Sequence, residues 1–193
     1  SSPTILSINP NQPQPELLEQ AARAVREGRL VAFPTETVYG LAADATNPQA
    51  IQRLNAVKGR PPEKPYSVHL YEQAQLAEFV REIPPLAARL MEQYWPGPLT
   101  IIMLARPEFA GAGGAANQVV GFRLPNHPVA QAFLRACRRP VVAPSANPSG
   151  EAPPTDAREV LASFAGRDGG VAFILDAGPT PLGRESTVVS VVG

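Results

Sequence analysis

The sequence predicts a single α/β domain, a twisted mixed β-sheet flanked by helices, over residues 1–193. Three observations support this fold class. Segments with apolar residues at helical spacing alternate along the chain with short apolar or alternating runs typical of strands. The 23 prolines and 15 glycines cluster between these segments. With 44% hydrophobic residues and no internal repeat or linker, the chain is expected to bury one core.

The first quarter of the chain is predicted to contain two strands and two helices. Residues 4–8 form a short strand. Residues 15–27 form a helix, because their leucines, alanines and valine recur at helical spacing and Gly28 follows as a stop signal. The apolar run 30–33 is a second strand. Asn47 and Pro48, a cap and first-turn pair, begin a second helix that ends at Gly59.

The middle and end of the chain continue the alternation. Residues 66–71 are predicted to be a strand with Tyr66, Val68 and Leu70 on one face and Ser67, His69 and Tyr71 on the other. The Gly- and Ala-rich stretch 106–118 is predicted to be a mobile loop. Further helices are predicted at 72–80, 84–94, 128–138 and 155–164, and further strands at 99–104, 119–124, 140–143, 171–175 and 186–192.

The composition excludes several classes of protein. No window of about 18 apolar residues exists, so no membrane-spanning helix or membrane partner is predicted. Since Ser1-Ser2-Pro3 is not followed by a basic stretch and an apolar run, no signal peptide is expected. The single cysteine, Cys137, has apolar neighbours and is expected to be a buried core thiol, in agreement with a reducing, cytoplasmic location.

Most standard catalytic motifs are missing from the sequence. There is no GxxxxGK[ST] or GxGxxG loop, no GxSxG elbow, and no CxxC or HExxH metal pattern. Because only two histidines are present, a His-based zinc site is not expected. An enzyme with this sequence would therefore work by positioning and electrostatic stabilisation, without a covalent nucleophile.

The basic residues are unevenly distributed. The net charge is +0, and of 17 basic residues only Lys58 and Lys64 are lysines, in one loop after a predicted helix. An ammonium group is a compact charge with three donors that suits polyphosphate. A solvated helix C-terminus, where cations are favoured, is the alternative interpretation.

Four polar segments are not required by the fold: 34–40, 58–64, 143–150 and 184–187. Each either binds a small polar ligand or forms a turn. His69 and Arg123 occupy strand positions, and together with these segments they suggest one polar pocket, although a single histidine is more often structural.

Six longer stretches contain these segments or lie between them: FPTETVYGLAADA (33–45), KGRPPEKPYSVHL (58–70), YWPGPLTIIM (94–103), FRLPNHP (122–128), APSANPSG (143–150) and ESTVV (185–189). In this order they resemble the YrdC-like family, the threonylcarbamoyl-AMP synthases, over nearly the whole chain. The resemblance implies a single YrdC-like domain around a deep cationic cleft, with a C-terminal extension of some relatives that this chain does not contain. It also implies an ATP-dependent nucleotidyltransferase that joins L-threonine and bicarbonate to AMP, with Mg²⁺ arriving with ATP.

The resemblance also implies roles for individual residues. Two are implied to stabilise charge during catalysis: Lys58 and Arg60. The residues implied to hold ATP are Lys58, Arg60, Ser145, Asn147 and Thr155. Those implied to surround threonine are Thr35, His69, Arg123 and Ser186, with Arg123 as the partner of its carboxylate. No metal ligand from the protein is implied.

The implied partners are ATP, L-threonine and bicarbonate, and downstream a threonylcarbamoyl-transferase complex that modifies tRNA. Two alternatives remain at this stage. One is a tRNA- or double-stranded-RNA-binding module, against which the neutral charge is a mild argument. The other is a carbamoyl-transfer domain of the hydrogenase-maturation type.

Overall fold

The computed structural model describes residues 2–59, 65–109, 117–167 and 170–193. Within these ranges, nine strands form one mixed sheet in the order β1-β8-β2-β3-β7-β4-β6-β5-β9. The strands are β1 Thr4–Ser7, β2 Leu30–Pro34, β3 Tyr39–Asp44, β4 Val68–His69, β5 Leu99–Leu104, β6 Val119–Arg123, β7 Val141–Val142, β8 Val171–Asp176 and β9 Thr187–Ser190. The α/β class and the mixed sheet are therefore confirmed.

The helices begin where the sequence provides start signals. Asn47 caps the second helix by accepting hydrogen bonds from the backbone N–H groups of Gln49 and Ala50, and Asp156 caps the fifth through the N–H of Glu159. Gly28 follows the first helix with a φ of +84°, a left-handed conformation that favours glycine. The α-helices are α1 Pro15–Arg26, α2 Pro48–Lys58, α3 Pro85–Tyr94, α4 Pro128–Cys137 and α5 Ala157–Phe164.

Helices cover both faces of the sheet. Alternating strand residues divide the core into two apolar clusters. One cluster joins Leu30 and Ala32 of β2 to helices α2, α3 and α5, and the other joins Val31 and Phe33 to α1 and α4. Cys137 lies in the second cluster, fully buried, and burial raises the pKa of its thiol. The expected core thiol is confirmed.

The prediction and the structure differ at three elements. Strand β3 was not predicted, because all six of its residues are buried and show no alternation. The predicted strand 66–71 forms ladder pairs only at Val68–His69, and the predicted helix 72–80 is a 3₁₀ helix, Gln73–Glu78.

The other predicted elements are present, with bounds that differ by one or two residues. The predicted mobile loop 106–118 lies partly outside the described residues. Its described beginning contains a 3₁₀ turn, Pro107–Phe109. None of the described helices combines the length and the apolar character needed to cross a membrane.

Candidate functional site

A pocket of about 280 Å³ lies on one face of the sheet. Its floor follows from strand register: His69 of β4 pairs with Arg123 of β6, Arg123 pairs with Thr100 of β5, and Thr100 pairs with Val188 of β9. Register partners project from the same face of a sheet. Four strands therefore place one row of side chains under the pocket, and the alternate residues Val68 and Phe122 enter the apolar core on the other face.

The walls come from the turn between β2 and β3, the segments flanking β4, the chain after β7 and the chain before β9. The described lining residues are Thr35, Thr37, Val38, Gly40, Pro65, Tyr66, Ser67, His69, Thr100, Arg123, Ala143, Pro144, Ser145, Glu185, Ser186 and Val188.

Arg123 is held in place from three directions. Its Nε donates to the carbonyl of Gly97 (3.4 Å), its Nη1 donates to Thr37 Oγ1 (3.1 Å), and its Nη2 forms an ion pair with Glu36 Oε1. The side chain is 5% exposed. Burial lowers the pKa of Arg123, and the Glu36 carboxylate opposes that shift. Arg123 remains a cation and, among the described residues, keeps an N–H without a partner on each terminal nitrogen.

His69 is a neutral hydrogen-bond acceptor in this pocket. Its Nδ1 lies 3.1 Å from the carbonyl oxygen of Ser67, which can only accept, so we assign the proton to Nδ1 and the lone pair to Nε2. Burial, reinforced by the nearby charge of Arg123, lowers the pKa of His69 to about 3, and the hydrogen bond to Ser67 partly opposes this. The imidazole therefore carries no charge at neutral pH.

Hydroxyl groups occur in pairs around the pocket. Thr35 Oγ1 lies 2.9 Å from Thr37 Oγ1 and donates to the carbonyl of Val38 (2.8 Å). The second pair joins the floor to the wall before β9, where Thr100 Oγ1 lies 3.1 Å from Ser186 Oγ. Each pair presents groups that can donate or accept, as recognition of a small polar ligand requires.

The end of helix α2 meets the segment after β7. Lys58 Nζ donates to the carbonyl of Ser145 (2.9 Å), and Ser149 N donates to the carbonyl of Lys58 (2.8 Å). Burial lowers the pKa of Lys58 to about 8, and Glu185 opposes that shift. Asn147 donates to the carbonyls of Pro148 and Glu151, and its buried Oδ1 has no partner among the described residues.

The structure brings most of the sequence-predicted residues together. Five of them line the pocket: Thr35, His69, Arg123, Ser145 and Ser186. Lys58 is not among the described lining residues, but its ammonium contacts Ser145, and Asn147 lies two residues further along the chain. Thr155 is outside the described lining, and its hydroxyl donates to Glu159 Oε1 (2.9 Å). Arg60, like Lys64, lies outside the described residues.

The sequence interpretation missed other lining residues. Ser67 shares a strand face with His69, so the alternation would have identified it. Thr37 and Thr100 lie within the quoted motifs. Glu36 also lies within a quoted motif, but nothing in the sequence indicated that its carboxylate pairs with Arg123.

Two residues supply the charge among the described lining: Arg123 and Glu185. The deep cationic cleft implied by the resemblance stays a prediction. Within the described residues, no group of three or more His, Cys, Asp or Glu side chains could hold a metal ion. Glu185 is the one carboxylate among the described lining residues. A single carboxylate is enough for a divalent cation that is bound mainly through the phosphates of a substrate.

Comparison with known proteins gives concordant matches. A family model described as "Telomere recombination" and named for Sua5, YciO and YrdC matches residues 23–193. The threonylcarbamoyl-AMP synthase of Bacillus subtilis (strain 168) is 42% identical over 184 residues, which are 95% of this chain and 51% of that protein. This chain thus spans about half the length of that relative.

Solved structures match over almost the whole chain. Sua5 of Pyrococcus abyssi complexed with L-threonine aligns with a TM-score of 0.90 at 37% identity, covering 98% of this chain and 54% of that one. YciO of Escherichia coli aligns with a TM-score of 0.85 at 25% identity, covering 99% and 91% of the two chains.

Proposed function

This chain belongs to the Sua5/YciO/YrdC family, and from that membership and the pocket we propose that it forms L-threonylcarbamoyl-AMP and pyrophosphate from L-threonine, bicarbonate or CO₂, and ATP. The reaction makes it a nucleotidyltransferase. Its product would supply a threonylcarbamoyl-transferase complex that modifies tRNA, in the cytoplasm.

The observation that carries this proposal is the row formed by His69, Arg123 and Thr100 under the pocket. A fixed guanidinium with two N–H groups that have no partner among the described residues matches a carboxylate, and a neutral imidazole acceptor beside it matches an amine or hydroxyl donor. The hydroxyls of Thr100 and Ser186 add further polar contacts. An amino acid with a short polar side chain carries this combination of groups.

The proposed chemistry requires no protein nucleophile. The threonine amine adds to CO₂ and loses a proton, forming a carbamate. A carbamate oxygen then attacks the α-phosphorus of ATP, and the bond to pyrophosphate breaks. Arg123 holds the threonine carboxylate, and the Nε2 of His69 accepts a hydrogen bond from the amine. The role proposed for Lys58, whose ammonium contacts the Ser145 carbonyl, is to stabilise negative charge on the ATP phosphates.

We propose Arg60 and Asn147 as further ATP contacts, and Thr155 as a peripheral one. Mg²⁺ would be held chiefly by the phosphates of ATP with the carboxylate of Glu185 as the protein donor, and it would supply charge neutralisation to the phosphoryl transfer.

Pyrophosphate release tests the proposal. The assay contains the 193-residue chain, ATP, Mg²⁺ and bicarbonate, with L-threonine, with L-serine, or without amino acid. We expect release that depends on L-threonine, together with a threonylcarbamoyl-AMP product detected by mass spectrometry. Release that is independent of amino acid, or a requirement for carbamoyl phosphate, would contradict the proposal. Salt-sensitive binding of double-stranded RNA without threonine-dependent release would instead favour an RNA-binding module.

A further inference from the structure

Glu36 is a buried residue that is not among the described lining residues of the pocket. Its neighbours Thr35 and Thr37 are among them, and the Glu36 side chain is 8% exposed. Both carboxylate oxygens have partners: Oε1 pairs with Arg123 Nη2, and Oε2 accepts from the backbone N–H of Asn126 (2.7 Å). Each carboxylate oxygen therefore has a partner at the end of strand β6 or in the segment that follows it.

The backbone of Glu36 makes a third connection. Its carbonyl accepts a hydrogen bond from the N–H of Leu182 (2.9 Å), in the segment that leads to Glu185 and Ser186. One residue of the turn between β2 and β3 thus contacts both the end of the floor strand β6 and the segment that leads to the wall before β9.

Arg123 depends on this carboxylate more than on its other partners. Gly97 offers a carbonyl at 3.4 Å and Thr37 a hydroxyl at 3.1 Å, both neutral acceptors. All three bonds have the charged guanidinium as donor, but only the bond to Glu36 also has a charged acceptor. The added attraction between opposite charges makes Glu36 the largest contributor to the orientation of the guanidinium. Because Arg123 is buried, its charge also needs the opposite charge of Glu36.

We infer that Glu36 is a positioning residue, which holds the Arg123 guanidinium from behind so that its two free N–H groups face the carboxylate of the amino-acid substrate. This inference rests on the proposed function and assigns a role to a residue that does not touch substrate. The opposite possibility is that the negative charge of Glu36 only repels the substrate carboxylate, in which case removing it would strengthen binding.

The test compares L-threonine with L-threoninamide, which lacks the carboxylate, by titration calorimetry on wild type and Glu36→Gln. Wild type should bind threonine more tightly than threoninamide. Glu36→Gln should weaken threonine binding roughly tenfold or more while changing threoninamide binding little, since only threonine uses the oriented guanidinium. A merely structural role would weaken both ligands equally.

Two further variants make the test decisive. Asp44→Asn is the matched control, because Asp44 is also a buried carboxylate that accepts a backbone N–H and faces an arginine, but it lies outside the described pocket lining. It should leave the preference for threonine unchanged. Glu36→Asp keeps the negative charge on a shorter side chain and should recover part of the lost preference for threonine. If Glu36→Gln does not fold, the same comparison of threonine with threoninamide is made on Glu36→Asp.

The outcomes separate two failures. No threonine binding by wild type would overturn the proposed function and this inference with it. If wild type prefers threonine but Glu36→Gln binds both ligands as before, more tightly, or equally more weakly, the inference alone is overturned.

Discussion

Lys58 at the end of helix α2 donates a 2.9 Å hydrogen bond to the backbone carbonyl of Ser145, which is 87 residues further along the chain. The bond fixes the ammonium against the segment that follows β7. Since the acceptor is the main chain, and the Ser145 hydroxyl is more distant at 3.5 Å, the side chain of Ser145 is not needed to hold Lys58.

Replacing Lys58 or Arg60 with alanine should lower turnover by roughly 100-fold or more, as the loss of an oriented charge stabiliser does at other active sites. Initial rates of threonine-dependent pyrophosphate release measure this. Ser145→Ala should keep Lys58 in place and cost less than Lys58→Ala. Near-normal pyrophosphate release in both Lys58→Ala and Arg60→Ala would contradict the assignment of these two residues to the ATP phosphates.

The charge of Lys58 should make ATP use pH-dependent. Its pKa is lowered to about 8, so the ammonium is present below that pH and is lost as the pH rises through it. We expect the KM for ATP to rise about tenfold between pH 7 and pH 9, following the loss of the protonated form. Lys58→Arg, which stays charged, should show a flat profile. A wild-type profile as flat as that of the arginine variant would be inconsistent with this role.

Arg123→Gln should weaken L-threonine binding roughly 100-fold, because it removes the cation that pairs with the threonine carboxylate in the proposed complex. It should also destabilise the fold by about 3–5 kcal/mol, since Glu36 is left buried without its partner. Calorimetric titration and urea unfolding measure the two effects. The matched control is Arg135→Gln, which removes an exposed ion pair with Glu72 at 3.5 Å and should cost less than about 1 kcal/mol. Unchanged threonine binding in Arg123→Gln would refute its role.

His69 should make the fold sensitive to acid. Its pKa is about 3 in the folded chain and 6.5 in model compounds, so the unfolded chain takes up a proton first as the pH falls. The contribution of neutral His69 to the free energy of unfolding is therefore fully present above pH 6.5. It is lost as the pH falls toward 3, by up to about 1.4 kcal/mol per pH unit. Urea unfolding between pH 4 and pH 7 should give a shallower pH dependence for His69→Gln than for wild type. Identical slopes would show that His69 is not buried in its neutral form.

Gly121 on β6 sits against two residues that line the pocket. A Cβ added there would lie 2.7 Å from Ser67 Oγ and 3.2 Å from Thr100 Cγ2. Gly121→Ala should therefore destabilise the fold by about 1–3 kcal/mol and weaken threonine binding, as overpacking does. Adding Ser67→Ala removes the closer clash and should restore part of the stability. A double variant that is no more stable than Gly121→Ala would locate the strain elsewhere.

The sequence predicted helices better than the central strands, for a physical reason. Helix α1 shows its buried stripe as a 3.6-residue period, and α2 shows its cap at Asn47. Strand β3 is buried on both faces, so it has no alternation from which a strand could be inferred, and strand β4 makes ladder pairs at only two residues.

For the site, the motifs alone were enough to group five residues in one pocket: Thr35, His69, Arg123, Ser145 and Ser186. Their arrangement around the pocket follows from long-range strand pairing. Strand register sets His69 beside Arg123 and Arg123 beside Thr100, and register depends on pairing between strands that are distant in the sequence. Likewise, the contact between Glu36 and Arg123 spans 87 residues, and it arises because the turn after β2 packs against the end of β6, a relationship that no local pattern contains.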